Sequence, residues 1–180
     1  MSIDIDREII ISENIAFFES HLSGMASRHF FVEAVRCSKP PSLFLAGLTC
    51  LLHGIEGALS NAVYEVGQHA KLSEDHAMDR GEHKNLTNQT LRRALDLGFD
   101  IETLAFRQEQ GQMSKRVKDN MPVGIVQFRN EFSHGKTFRA TEKIGDTLIS
   151  HPFLLAPHFR DLLTLSYRFV CEVERFMGRD

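Results

Sequence analysis

The stretch SLFLAGLTCLLHGIEGALSNAVYEVG, residues 42–67, decides the fold. Its apolar residues Leu45, Leu48, Leu52, Ile55, Leu59, Ala62 and Val66 recur at spacings of three and four. That period lines side chains along one face of a helix and predicts about seven turns. The run from Leu43 to Leu52 is the most apolar in the chain, but His53, Gly54 and Glu56 interrupt it at once, which makes it too short to span a bilayer. Gly47, Gly54 and Gly57 lower helix propensity and point to close approach by another helix.

Helical periodicity continues on both sides. From Ser12, a candidate cap, Ile15, Phe18, Leu22, Met25 and Val32 fall on one stripe that Lys39-Pro40-Pro41 ends. Between about 68 and 90 the chain turns polar, with a turn-like Asp79-Arg80-Gly81, and a long loop or frayed segment is expected. Leu86 to Leu97 reads as a short helix closed by Gly98. Asp100 can cap a further helix running through Leu104 and Phe106 toward Val117. Pro122 suits the first turn of another helix of about thirteen residues, and Gly135 suits the left-handed position just after its end. Met121, Ile125, Phe128 and Phe132 then share a core-facing stripe. Residues 136–157 look irregular, with a short extended piece at Thr147-Leu148-Ile149. A last helix turns Leu162, Ser166, Phe169, Val173 and Phe176 inward. Five or six such segments with almost no alternating pattern predict an all-α helical bundle, read as a single domain over residues 1–180.

Composition narrows the function. The chain has 180 residues, 42% hydrophobic and 25% charged, enough for one sizeable core. Its net charge of −3 argues against non-specific coating of nucleic acid, which needs many cations on phosphates, while leaving room for a local basic cleft. Cys37, Cys50 and Cys171 are an odd number without short spacing, which disfavours a disulfide framework or a structural zinc and fits a reducing cytoplasm. The acidic N-terminus lacks the basic start of a secretory signal. The N-x-T triplets at Asn85 and Asn88 are therefore read as chance.

One segment proposes chemistry: Phe128-Arg129-Asn130-Glu131-Phe132-Ser133-His134-Gly135-Lys136. Arg129 and His134 stand five residues apart, roughly 140° around a helix, whereas Asn130 and His134 are four apart and share a face. Asn130 can orient the imidazole; Arg129 reaches it poorly within one helix. Two copies of the helix meeting across a two-fold axis would bring arginine and histidine into a shared cleft. Taken alone, Arg129 and Glu131 also read as solvated helix residues, and His134-Gly135 as an ordinary helix ending.

Arg129 followed by Asn130, then His134 after four intervening residues, resembles the HEPN family. Its members carry an Arg, four to six residues and a His, commonly with a polar residue directly after the Arg. The resemblance implies a helical bundle that dimerises face to face. In many members it also implies a metal-independent endoribonuclease leaving a 2′,3′-cyclic phosphate, found in toxin-antitoxin and phage-defence systems; other members are inactive. The carried-over catalytic set is Arg129, Asn130 and His134, with no cofactor and no metal. Histidine suits proton transfer to or from the 2′-hydroxyl and the leaving oxygen, and its place at a helix C-terminus leans toward an acid or phosphate-binding role. A guanidinium suits charge developing on phosphoryl oxygens. Lys136 could add a phosphate contact, and the basic run Lys115, Arg116 and Lys118 could guide RNA, although such runs are most often solvated faces. The expected partners are a second copy of the chain, RNA, and an antitoxin or nucleotidyltransferase. The competing reading is an inactive HEPN-like module that binds a partner protein or a nucleotide.

The other histidines propose less. His69, His76 and His83 are spaced by seven, about 10 Å apart along a helix and too far for one metal ion. His29 and His53 fall in apolar helices and are expected to be satisfied structural residues. No Gly-rich phosphate loop, H-E-x-x-H helix or G-x-S-x-G elbow occurs.

Overall fold

In the computed structural model, which describes residues 2–39, 43–69, 85–134, 141–144, 147–150 and 152–179, the apolar period around Leu45 becomes one unbroken helix. With α1 (Ser2–Ser20) and α2 (Ser27–Arg36) before it, this third helix, α3, runs Phe44–His69 over 26 residues. Leu48, Leu52, Ile55, Leu59 and Ala62 of the expected stripe are buried, and Leu51, Ala58 and Val63 widen it. The helix is covered on two sides, by α2 and by the C-terminal α7 (Ala156–Phe176). The glycines act as expected. A Cβ on Gly47 would lie 2.5 Å from Cε2 of Phe159 on α7, and one on Gly54 would lie 2.9 Å from Cζ of Phe31 on α2.

The stripe read from Ser12 to Val32 is two helices. Ser12 is an exposed residue inside α1, not its cap. The chain turns between them with Leu22 at φ 54° and Gly24 at φ 79°. Leu22 remains buried through the turn, so the apolar spacing survives a break that periodicity cannot show. Residues far along the chain hold this corner: the Leu22 N–H donates to the Glu174 carboxylate, and Arg179 donates to the Ser23 carbonyl at 3.0 Å. Arg179 also pairs with Glu65 of α3 at 3.3 Å. At the other end, α2 stops at Arg36, ahead of Lys39; Pro40 and Pro41 lie outside the described residues.

Residues 70–84, most of the expected polar loop, also lie outside them. On its far side α4 (Asn88–Asp96) begins after Leu86, because Thr87 is extended and its side-chain oxygen accepts the Thr90 N–H at 3.1 Å. Gly98 closes the helix at φ 92°, as expected. Asp100 does cap the next element through the Glu102 N–H at 3.1 Å, but no continuous helix follows. Two 3₁₀ turns, Ile101–Leu104 and Arg107–Glu109, precede α5 (Met113–Lys118). Phe106 is extended and Gly111 takes φ 75°. The Glu102 carboxylate accepts the N–H groups of Gly111 and Ser114, both at 2.8 Å, and so folds the segment back on itself.

The motif helix, α6 (Gly124–Ser133), has 10 residues and excludes Pro122. An antiparallel hairpin follows, β1 (Thr141–Ile144) against β2 (Thr147–Ser150), with Thr141 opposite Ser150 and Ile144 opposite Thr147. The expected extended piece falls within β2. A 3₁₀ turn at Pro152–Leu155 leads into α7, which buries Leu162, Ser166, Phe169 and Val173 and leaves Phe176 partly buried. Phenyl rings link the layers: Phe18 stacks on Phe31 at 5.2 Å, and Phe169 meets Phe31 at 6.5 Å and Phe99 at 5.9 Å. The architecture is an all-α helical bundle carrying one small hairpin. Among the described residues no helix is long and apolar enough to cross a membrane.

Candidate functional site

The placing of α6 starts from the turn before it. Asn120, at φ 53°, ends α5 in the left-handed region that asparagine tolerates. Three side chains clasp the backbone of the turn. Arg92 donates to the Lys118 carbonyl at 2.8 Å, Asn88 to the Met121 carbonyl at 2.8 Å, and Arg116 to the Pro122 carbonyl through Nε at 3.0 Å and Nη2 at 2.6 Å. The Gly124 N–H then donates to both oxygens of buried Glu109, at 3.0 and 2.9 Å. A carboxylate at a helix N-terminus is favoured by the exposed N–H groups and the dipole. It can come this close because residue 124 is glycine: a Cβ there would lie 2.5 Å from Glu109 Oε2. These contacts displace the helix start from Pro122 to Gly124 and leave Met121 outside it, 47% exposed, instead of on the core stripe.

The inward face of α6 is Ile125 and Phe128. Phe128 meets Phe106 edge-on at 6.0 Å and His158 of α7 at 5.9 Å, and partly buried Phe132 stacks on it at 5.9 Å. Beside this stripe, Arg129 turns toward α3. Its Nε donates to Glu56 Oε1 at 2.7 Å, and the two side chains are 19% and 9% exposed. The same Glu56 oxygen accepts the Leu86 N–H at 2.9 Å. Glu56 therefore ties α3, the approach to α4, and α6 together at the motif arginine. The sequence reading missed it, although an acid among Leu52, Ile55 and Leu59 is the signal of a buried partner.

The motif residues part company here. Arg129 Nη1 reaches Asn130 Oδ1 at 3.3 Å, so Asn130 meets the arginine and not the imidazole. The inward anchor on Glu56 leaves the guanidinium lying beside Asn130. His134 is the residue ending α6; its backbone N–H donates to the Asn130 carbonyl at 3.0 Å. Its side chain is exposed and has no hydrogen-bond partner among the described residues. Gly135 and Lys136 lie outside them.

The basic run lies on α5, ahead of the N-terminal end of α6, whereas His134 follows the C-terminal end of that helix, which is itself about 15 Å long. Lys115 and Lys118 are exposed. Arg116 is engaged with Pro122 and stands 3.7 Å from Glu109. His29 and His53 are surface residues, not satisfied core ones. The His29 side chain is 75% exposed and 3.9 Å from Glu33, and exposed His53 meets Phe30 edge-on at 5.7 Å. The His69 side chain, His76 and His83 fall outside the described residues. Cys37, Cys50 and Cys171 are free thiols, and burial pushes those of Cys37 and Cys50 up from their ordinary values. Among the described residues no group of three or more His, Cys, Asp or Glu side chains is placed to hold a metal ion. Comparison with protein-family models, with curated proteins and with solved structures finds no match.

Proposed function

We propose that this chain is a HEPN-type endoribonuclease that cuts RNA as a homodimer without a metal, in a toxin-antitoxin or phage-defence setting. The supporting observation is the end of α6, where an anchored Arg129 and an exposed Asn130 stand about one turn from an exposed His134 whose side chain has no hydrogen-bond partner among the described residues. In this reading the 2′-oxygen of RNA attacks the adjacent phosphorus and the P–O5′ bond breaks. The products are a 2′,3′-cyclic phosphate and a 5′-hydroxyl. His134 transfers a proton at one of these oxygens. Arg129 offers its Nη groups to the phosphoryl oxygens while Glu56 holds Nε. A second protomer's motif completes the cleft, and the positive charges of Lys115, Arg116, Lys118 and Lys136 draw in the strand.

A second reading has one observation in its favour. Because Arg129 Nε is already taken by Glu56, the motif also suits an inactive HEPN-like module that binds a partner protein or a nucleotide. Incubating purified chain with several RNAs in EDTA separates the two. Cleavage that is lost in both Arg129→Ala and His134→Ala, with the dimer retained, supports the ribonuclease. No cleavage of any RNA by the unsubstituted chain overturns it.

A further inference from the structure

A half-open cleft of about 630 Å³ lies between residues 105–110 and α7. Buried Ala105 and Leu165 line it, and Phe106, which meets Phe128 edge-on at 6.0 Å, forms a wall shared with α6. The cleft also takes in Arg107 and Arg168. Among the described residues Arg168 makes one hydrogen bond, Nη2 to the Ala105 carbonyl at 3.1 Å, which leaves four of its five N–H donors without a partner there. Neither arginine meets a carboxylate among the described residues, although Asp161 lines the same cleft. Among the described residues Arg36, Arg92, Arg116, Arg129, Arg175 and Arg179 each stand within 4.0 Å of an acid, whereas Arg28, Arg93 and Arg160, like the two cleft arginines, do not. Two guanidinium groups against one carboxylate leave the concavity with a net positive charge that favours an anion, and their forked donors match phosphate. Asp161, Gln108 and Gln110 line the same space, and side chains of these types can accept hydrogen bonds from a ligand that also carries N–H or O–H donors. The volume is that of a small-molecule site.

We propose that this cleft binds a nucleotide, with its phosphate on Arg107 and Arg168 and its base and sugar donors on Asp161, Gln108 and Gln110. The nucleotide is either free or one unit of an RNA strand. The site uses none of Arg129, Asn130 and His134, so it stands or falls separately from the ribonuclease reading.

Isothermal titration of the full chain tests it, with the four 5′-mononucleotides, inorganic phosphate, an acidic peptide, and a 2′-O-methyl hexanucleotide that cannot be cleaved. We expect saturable binding of a mononucleotide or of the hexanucleotide. It should weaken at least about tenfold in Arg107→Glu and in Arg168→Gln, the loss of one charge-assisted contact, and stay unchanged in Lys39→Gln, an exposed cation that belongs to neither site. Arg107 is exposed, and among the described residues its side chain makes no hydrogen bond or ion pair, so its variant reports on binding even if Arg168→Gln unfolds. A mononucleotide bound as tightly as the hexanucleotide assigns the site to a free nucleotide, and binding by the hexanucleotide alone assigns it to RNA. Three results overturn the proposal: no binding of either, binding indifferent to Arg107→Glu, or equal binding of the acidic peptide.

Discussion

Arg129 and Glu56, 73 residues apart in sequence, meet through Nε and Oε1 at 2.7 Å between α6 and α3. Removing one partner of a buried pair leaves the other charged and unmet, and here it also strands the Leu86 N–H. Glu56→Ala should lower unfolding free energy by about 3 kcal/mol. Glu56→Gln, which keeps an acceptor oxygen, should lower it by about 1–2 kcal/mol. Urea denaturation measures both, and variants as stable as the unsubstituted chain would mean that the contact is not formed.

Alanine at three of the four α3 glycines should give a graded series. Gly47→Ala and Gly54→Ala drive a methyl into the Phe159 and Phe31 rings, at 2.5 and 2.9 Å, and overpacking of this kind costs about 1–3 kcal/mol. Gly57→Ala meets Ser27 Cβ at 3.3 Å, a gap that small shifts relieve, and gains about 1 kcal/mol of helix propensity. Its urea midpoint should therefore stay close to that of the unsubstituted chain. A Gly57 variant less stable than the Gly54 variant would contradict this packing.

Glu102 gives the fold an acid dependence. Burial alone would push its carboxyl up, but hydrogen bonds from Ser114, Gly111 and Met113 outweigh it and hold the pKa below the ordinary value of 4.5. Its stabilisation is thus fully present above that value and is lost as pH falls through the lower folded value. Glu102→Gln should be less stable at pH 7 and should lose less further stability between pH 5 and pH 3. Urea midpoints across that range check it, and parallel curves for the two proteins would refute it.

A composite cleft makes a prediction that a one-chain site does not. Arg129→Ala and His134→Ala proteins should each lose about 10²–10⁴-fold in RNA cleavage. Mixed and allowed to exchange, they should recover activity that neither has alone, because the mixed dimer still holds one arginine and one histidine. Sedimentation of each variant confirms that dimers are present. Dimers that exchange without recovery would place Arg129 and His134 in a single chain's site.

What the sequence made legible follows from the range of each signal. The α3 and α7 stripes repeat over many turns, so Leu48, Ile55, Leu162 and Phe169 were readable as core, and Gly47 and Gly54 as close approaches. The corner at Leu22 was not, because its apolar side chain keeps the spacing while its backbone turns left-handed; Ser23-Gly24 was the local hint. The broken course from Asp100 to Val117 depends on Glu102 reaching the N–H groups of Gly111 and Ser114, and side-chain capping at that distance has no period. At the site, Arg129 and His134 were legible as residue types at a spacing. The contact between Arg129 and Asn130 was not, because it is set by an acid on another helix.

The clasp on the α1–α2 corner gives the chain a timetable. The partners of Leu22 and Ser23 lie 152 and 156 residues further on, at Glu174 and Arg179. At roughly 5–20 residues per second of synthesis, the corner waits on the order of 10–30 s for them. A nascent chain arrested before α7 therefore carries its first two helices with the hinge between them held by local contacts such as Arg28 on the Glu19 carbonyl, and gains the two long-range latches last.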